Sequence, residues 1–170
     1  MKTKIFLVGI LLAGMFSACE KREYLLGLPE YDHHYYIAYV PYNNTQVTVN
    51  KNQASLVKFE VSFNSSFTRS YDAVAQYKLT PATINGTTAA VLGTDFNVVD
   101  SKGNVINPVD GKYSITFPKA VKARDTIYIK LLNNPAAGAR AVNVDLIENL
   151  TSEYRVDTMS VAFRRPLRIN

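Results

Sequence analysis

From Ser55 to Phe63 the chain alternates, with Val57, Phe59, Val61 and Phe63 on one side and Leu56, Lys58, Glu60 and Ser62 on the other. Side chains on an extended strand point to opposite faces in turn, so this pattern buries one face and wets the other. The same texture recurs to the end of the chain. Strands are expected over 35–40, 46–49, 73–79, 96–99, 112–117, 126–132 and 142–147, and over 158–163 with a continuation to Leu167. Tyr113, Ile115 and Phe117 share one face, as do Ile127, Ile129 and Leu131. No stretch of a dozen residues holds a helical period. Residues 81–90 read as a threonine-rich loop, because Thr83, Asn85, Gly86, Thr87 and Thr88 separate Ala82 from Ala89 and Ala90.

The expected fold class is therefore all-β and helix-poor, an antiparallel immunoglobulin-like β-sandwich of about 7–9 strands. A barrel stays open as an alternative. With one cysteine and no tryptophan, the antibody-type core with its disulfide is excluded.

The first residues follow different rules. Lys2 and Lys4 precede an apolar run from Ile5 to Phe16, and Phe16-Ser17-Ala18-Cys19 follows. A basic segment, a short apolar segment and small residues before a cleavage point make a secretory signal. The run is too short to span a bilayer, which takes roughly 20 residues. Ser17-Ala18-Cys19 resembles the lipobox of bacterial lipoprotein precursors, although Phe16 stands where leucine is usual. That resemblance implies cleavage before Cys19 and lipidation of its thiol, which would attach the chain to membrane lipid. A single cysteine forms no internal disulfide, so lipidation also accounts for the thiol. The expected organisation is a signal peptide over 1–18, a lipidated tether over 19–34, and one sandwich domain over 35–170.

Without the signal, 17 basic and 14 acidic side chains remain, a net +3. They are scattered, with no basic stripe of the kind that binds nucleic acid. Arg164, Arg165 and Arg168 come nearest and read as the charged residues of a solvated edge strand.

Gly93-Thr94-Asp95-Phe96, Tyr113-Ser114-Ile115-Thr116-Phe117-Pro118, a basic turn through Arg124-Asp125, Thr126-Ile127-Tyr128-Ile129-Lys130-Leu131 and Val142-Asn143-Val144-Asp145-Leu146-Ile147 follow in order. This series resembles Calx-β-like and related immunoglobulin-like sandwiches, and small sandwich domains of Bacteroidetes surface lipoproteins. The latter resemblance implies an outer-membrane address, surface-exposed with the periplasmic face as the alternative, beside SusC- and SusD-like glycan-uptake proteins. Calcium is not expected. Ca²⁺ wants six to eight oxygen ligands at one point, and the turn over 133–140 offers no carboxylate and ends on Arg140. Asp125-Thr126-Ile127 and Asp157-Thr158-Met159 resemble O-glycosylation acceptors of such bacteria; both also read as plain strand entries.

No catalytic constellation is visible. His33 and His34 are adjacent and point apart on an extended chain, so no metal site is expected. No Gly-x-Ser-x-Gly elbow or phosphate-binding glycine loop occurs, and neither a cofactor nor enzyme activity is expected. Tyrosine suits binding better, because it offers a flat apolar face and a hydroxyl. Tyr31, Tyr35, Tyr36, Tyr39 and Tyr42 crowd one span. Tyr35, Ile37 and Tyr39 are expected inside, leaving Tyr31, Tyr36 and Tyr42 as candidates to contact a polysaccharide or protein partner. Two functional readings follow. One is a non-catalytic module of a surface glycan-capture complex. The other is a structural or adhesive lipoprotein acting through strand addition.

Overall fold

A computed structural model describes residues 32–170; Cys19 and Tyr31 lie outside the described residues. A compact unit spans His33–Asn170 and contains twelve strands. They are β1 His34–Tyr39, β2 Val47–Val49, β3 Val57–Asn64, β4 Ala73–Pro81, β5 Thr88–Ala89 and β6 Phe96–Val99. The chain continues through β7 Tyr113–Phe117, β8 Ala123–Leu131, β9 Arg140–Ile147, β10 Asn149–Leu150, β11 Arg155–Thr158 and β12 Arg164–Ile169. The one helical element among the described residues is a 3-10 turn, Pro118–Ala120.

The strands form two six-stranded sheets packed as a sandwich. One runs β10-β11-β1-β3-β8-β6; the other runs β2-β12-β9-β4-β7, with β5 beside β9. The expected sandwich is therefore present. Antiparallel pairs dominate, but β1–β11, β2–β12 and β5–β9 are parallel, which makes both sheets mixed.

The alternating side chains meet between the sheets. Ile37, Tyr39, Val61, Phe63, Ala73, Ala75, Val98, Ile129 and Val144 are fully buried. Phe63 and Phe117 stack across the core, with centroids 4.4 Å apart and 12° between planes. Burying a side chain of this size contributes about 1.5–3 kcal/mol.

Three expected segments differ. The stretch over 158–163 is not a strand: β11 ends at Thr158, Met159–Ala162 turns, and β12 starts at Arg164. Ala162 N donates to Met159 O at 2.8 Å, and Tyr39 N donates to Ala162 O at 2.9 Å. The reason is topological, since β11 belongs to one sheet and β12 to the other. The basic turn at Arg124-Asp125 is also absent. Both residues lie in β8, opposite Ser62 and Val61, and Arg124 pairs with Glu60 at 2.8 Å. The chain reverses earlier instead, at Lys119 and Ala120, which have φ of 53° and 48°. Within 81–90, Pro81 closes β4 and Thr88–Ala89 forms β5, so the loop is shorter than expected.

Candidate functional site

Strand β1 sorts its tyrosines as the alternation requires. Tyr35 and Tyr39 are buried, and Tyr36 is 38% exposed. Tyr36 lies opposite Asn64 on β3, and Ala38 lies opposite Ser62. Tyr42 is 51% exposed, in the loop after β1, and its hydroxyl reaches Ser62 Oγ in a long bond of 3.4 Å. Ser62 and Asn64 share a face about 7 Å apart along the strand. The fold thus brings Tyr36 and Tyr42 to the same outer face of one sheet. Tyr36 also stacks on His34, with centroids 4.8 Å apart and 21° between planes. The rim beside this pair is polar: His34 Nε2 is 3.4 Å from Asp157 Oδ2, which also pairs with Arg155 at 3.2 Å.

The two histidines have different surroundings. His33 Nδ1 bonds the Tyr71 hydroxyl at 2.5 Å, and Tyr71 bonds Tyr35 at 2.6 Å. Burial and the Tyr35 hydrogen bond push the Tyr71 phenol well above its ordinary value. Among the described residues, no group of three or more His, Cys, Asp or Glu side chains could hold a metal ion.

A second feature is a side cleft of about 350 Å³ between the sheet edges. Its walls include Tyr77, Ser114, Thr116, Asp125, Thr126 and Tyr128. Strand β7 is an edge strand, and β6 covers β8 only from Tyr128 to Leu131. The half of β8 from Ala123 to Ile127 is therefore paired on one side alone. Tyr77 stacks on Tyr113, and burial pushes both phenols up. The Tyr113 hydroxyl is buried without a hydrogen-bond partner among the described residues. Thr126 and Thr158 both sit half-buried in strands, each N–H bonded to the carboxylate of the preceding aspartate.

The arginines of β12 correct the expectation of a solvated edge. This strand lies between β2 and β9, with Arg165, Leu167 and Ile169 turned inward. Arg164 donates to Asp145 at 2.7 and 3.0 Å, which raises its guanidinium above the ordinary value. Arg165 is 3% exposed. It lies over the Tyr39 ring at 4.7 Å and donates to Asn43 Oδ1 at 2.7 Å, Thr45 O at 3.3 Å and Pro41 O at 3.1 Å. Burial pushes its pKa down. With Lys58 it lines a notch of about 300 Å³. The period-two placement of Arg165 with Leu167 and Ile169 was the available signal for its burial, masked by the flanking arginines.

The turn over 133–140 packs against a buried carboxylate, Asp95. Asp95 is 4% exposed; it accepts from Val91 N at 2.7 Å and Asn134 Nδ2 at 2.6 Å, with Arg140 Nε at 3.9 Å. Lys51 reaches the adjoining loop through Ala136 O at 3.2 Å.

No family model matches the sequence, and no curated protein matches it. Solved structures do. The apo-form Calx CBD1 domain has 15% identity over 80% of this chain and 97% of its own length, with a TM-score of 0.49. The CBD12 of CALX1.2 and the calcium binding domain CBD12 of CALX1.1 each have 18% identity over 79% of this chain, with TM-scores of 0.46 and 0.45. The chain spans 44% of the length of each of these two.

Proposed function

We propose that this protein is a non-catalytic lipoprotein, anchored in the outer membrane through Cys19 and exposed at the cell surface. In this reading its sandwich is a binding or accessory module of a glycan-capture or uptake complex, with a polysaccharide or SusC- and SusD-like proteins as partners. The anchoring rests on Lys2, Lys4, the apolar run and Ser17-Ala18-Cys19. The binding role rests on one observation: Tyr36 and Tyr42 stand exposed on the same sheet face, bordered by Asn64, His34 and Asp157. Flat rings beside hydrogen-bonding groups suit the apolar faces and hydroxyls of sugars, and equally a protein loop.

The test replaces Tyr31, Tyr36 and Tyr42 by alanine in the full chain. Polysaccharide retention in affinity gels and co-purification from detergent-solubilised membrane are then measured. Loss of a contact residue that anchors binding costs about 2 kcal/mol, or roughly 30-fold in affinity. Unchanged binding in both assays would remove the tyrosine face from the reading.

The open edges of β7 and β8 favour a second reading, a structural or adhesive role through strand addition. Thr116 is exposed on β7 and lines the cleft. Under this reading Thr116→Lys abolishes cross-linked assemblies on whole cells; under the first it leaves glycan retention intact.

A further inference from the structure

Arg165 is buried among neutral groups. Its acceptors are an amide oxygen and two carbonyls, beside the Tyr39 ring, and no carboxylate pairs with it among the described residues. Its neighbours in the same fold are treated otherwise: Arg164 has Asp145, Arg124 has Glu60, Arg155 has Glu148 and Asp157, and Arg140 has Asp95. These three bonds engage no more than three of the five N–H donors a guanidinium carries. A buried cation without a counter-charge is costly, and an anion that enters recovers that cost.

The surroundings leave room for one. The notch of about 300 Å³ lies at the end of β1, where β3 runs on past its partner. Val40, Pro41, Val47 and Phe59 supply apolar walls, Asn43 and Thr45 supply polar groups, and exposed Lys58 adds a second positive charge at the rim. A volume at the low end for small-molecule sites suits a ligand of about one sugar ring. Guanidinium donors match the planar fork of a carboxylate.

We infer that Arg165 and Lys58 form a binding site for the carboxylate of an acidic sugar, a uronate residue within a glycan. The inference rests on the glycan reading above and names the charge class of the sugar. It places the uronate carboxylate on Arg165, its ring against Val47 and Phe59, and its hydroxyls toward Asn43 and Thr45.

The test titrates glucuronate, glucose and acetate into the full chain in detergent and follows backbone amide shifts by NMR. Glucuronate is expected to bind saturably and glucose not at all, with perturbations confined to 40–47, 57–59 and 164–166. Acetate should bind the same residues more weakly. Because Arg165→Met removes loop contacts and risks the fold, Lys58→Met is the second variant. It keeps the fold and is expected to weaken glucuronate roughly threefold, as loss of one exposed charge would. Absence of saturable glucuronate binding, equal binding of glucose, or affinity unmoved by Lys58→Met would each overturn the inference. Tyr36→Ala separates the two sites. Glucuronate binding that survives while polysaccharide retention is lost places the acid site apart from the tyrosine face. Retention that survives while glucuronate fails to bind removes the acid site alone.

Discussion

Asp95 shows how one side chain organises a loop cluster. Its oxygens take the Val91 N–H and the Asn134 amide, with Arg140 beside them. Asp95→Ala leaves those part-buried donors without their acceptor, and chemical denaturation should show a loss of about 1–3 kcal/mol. With Asn134, Arg140 and Lys51 already around this carboxylate, millimolar calcium should leave the melting temperature unchanged; a rise of several degrees would count against this account. Tyr39 offers a second case. Its hydroxyl donates to Val144 O at 2.9 Å in the core, and burial holds the phenol well above its ordinary value. Tyr39→Phe keeps the ring under Arg165 and removes only that bond, a cost of about 1–2 kcal/mol by the same measurement.

Single strands carry their own consequences. On β12, Leu167 is fully buried between β2 and β9. Leu167→Ala should therefore cost about 2–5 kcal/mol, since the gap lies within the core and neighbours relax only in part. The turn after β6 makes a different prediction. The Asn104 side chain and backbone N–H hold the Asp100 carboxyl below its ordinary value near 3.8, helped by the Lys102 N–H. A carboxyl depressed in the folded state contributes fully above its unfolded value, and that contribution is lost as pH falls through the lower, folded one. NMR shifts of the Lys102 and Asn104 amides should titrate with a midpoint below 3.8; a midpoint at or above it would contradict the hydrogen-bonded turn.

Elements were unevenly legible. The β3, β7 and β9 alternations placed their buried residues correctly because each has one core face. Thr158–Phe163 carries a similar alternation, yet the chain must cross there between sheets, and no Gly or Pro marks the crossing. Arg124 and Asp125 looked like a turn because they are charged. Pairing with β3 holds them in a ladder, with Glu60 as the ionic partner.

At the scale of the whole molecule, the proposed lipid anchor separates address from fold. Cys19→Ala should move the protein out of the detergent phase while its circular dichroism stays that of a β-sandwich. A protein retained in the membrane fraction would require another attachment.

Period-two alternation is a local property, and by itself it settled that the chain is all-β, which tyrosines of β1 turn inward, and that Tyr36 faces outward. It carries no information about which strands become neighbours. Closing two sheets over one core decided that β1 lies beside β11 and β2 beside β12, both parallel and both far apart in sequence. The same closure set Tyr36 and Tyr42 on one face and turned Arg165 inward, where no carboxylate among the described residues pairs with it. Strand neighbours are chosen by burial summed over the whole core, and no single segment contains that sum.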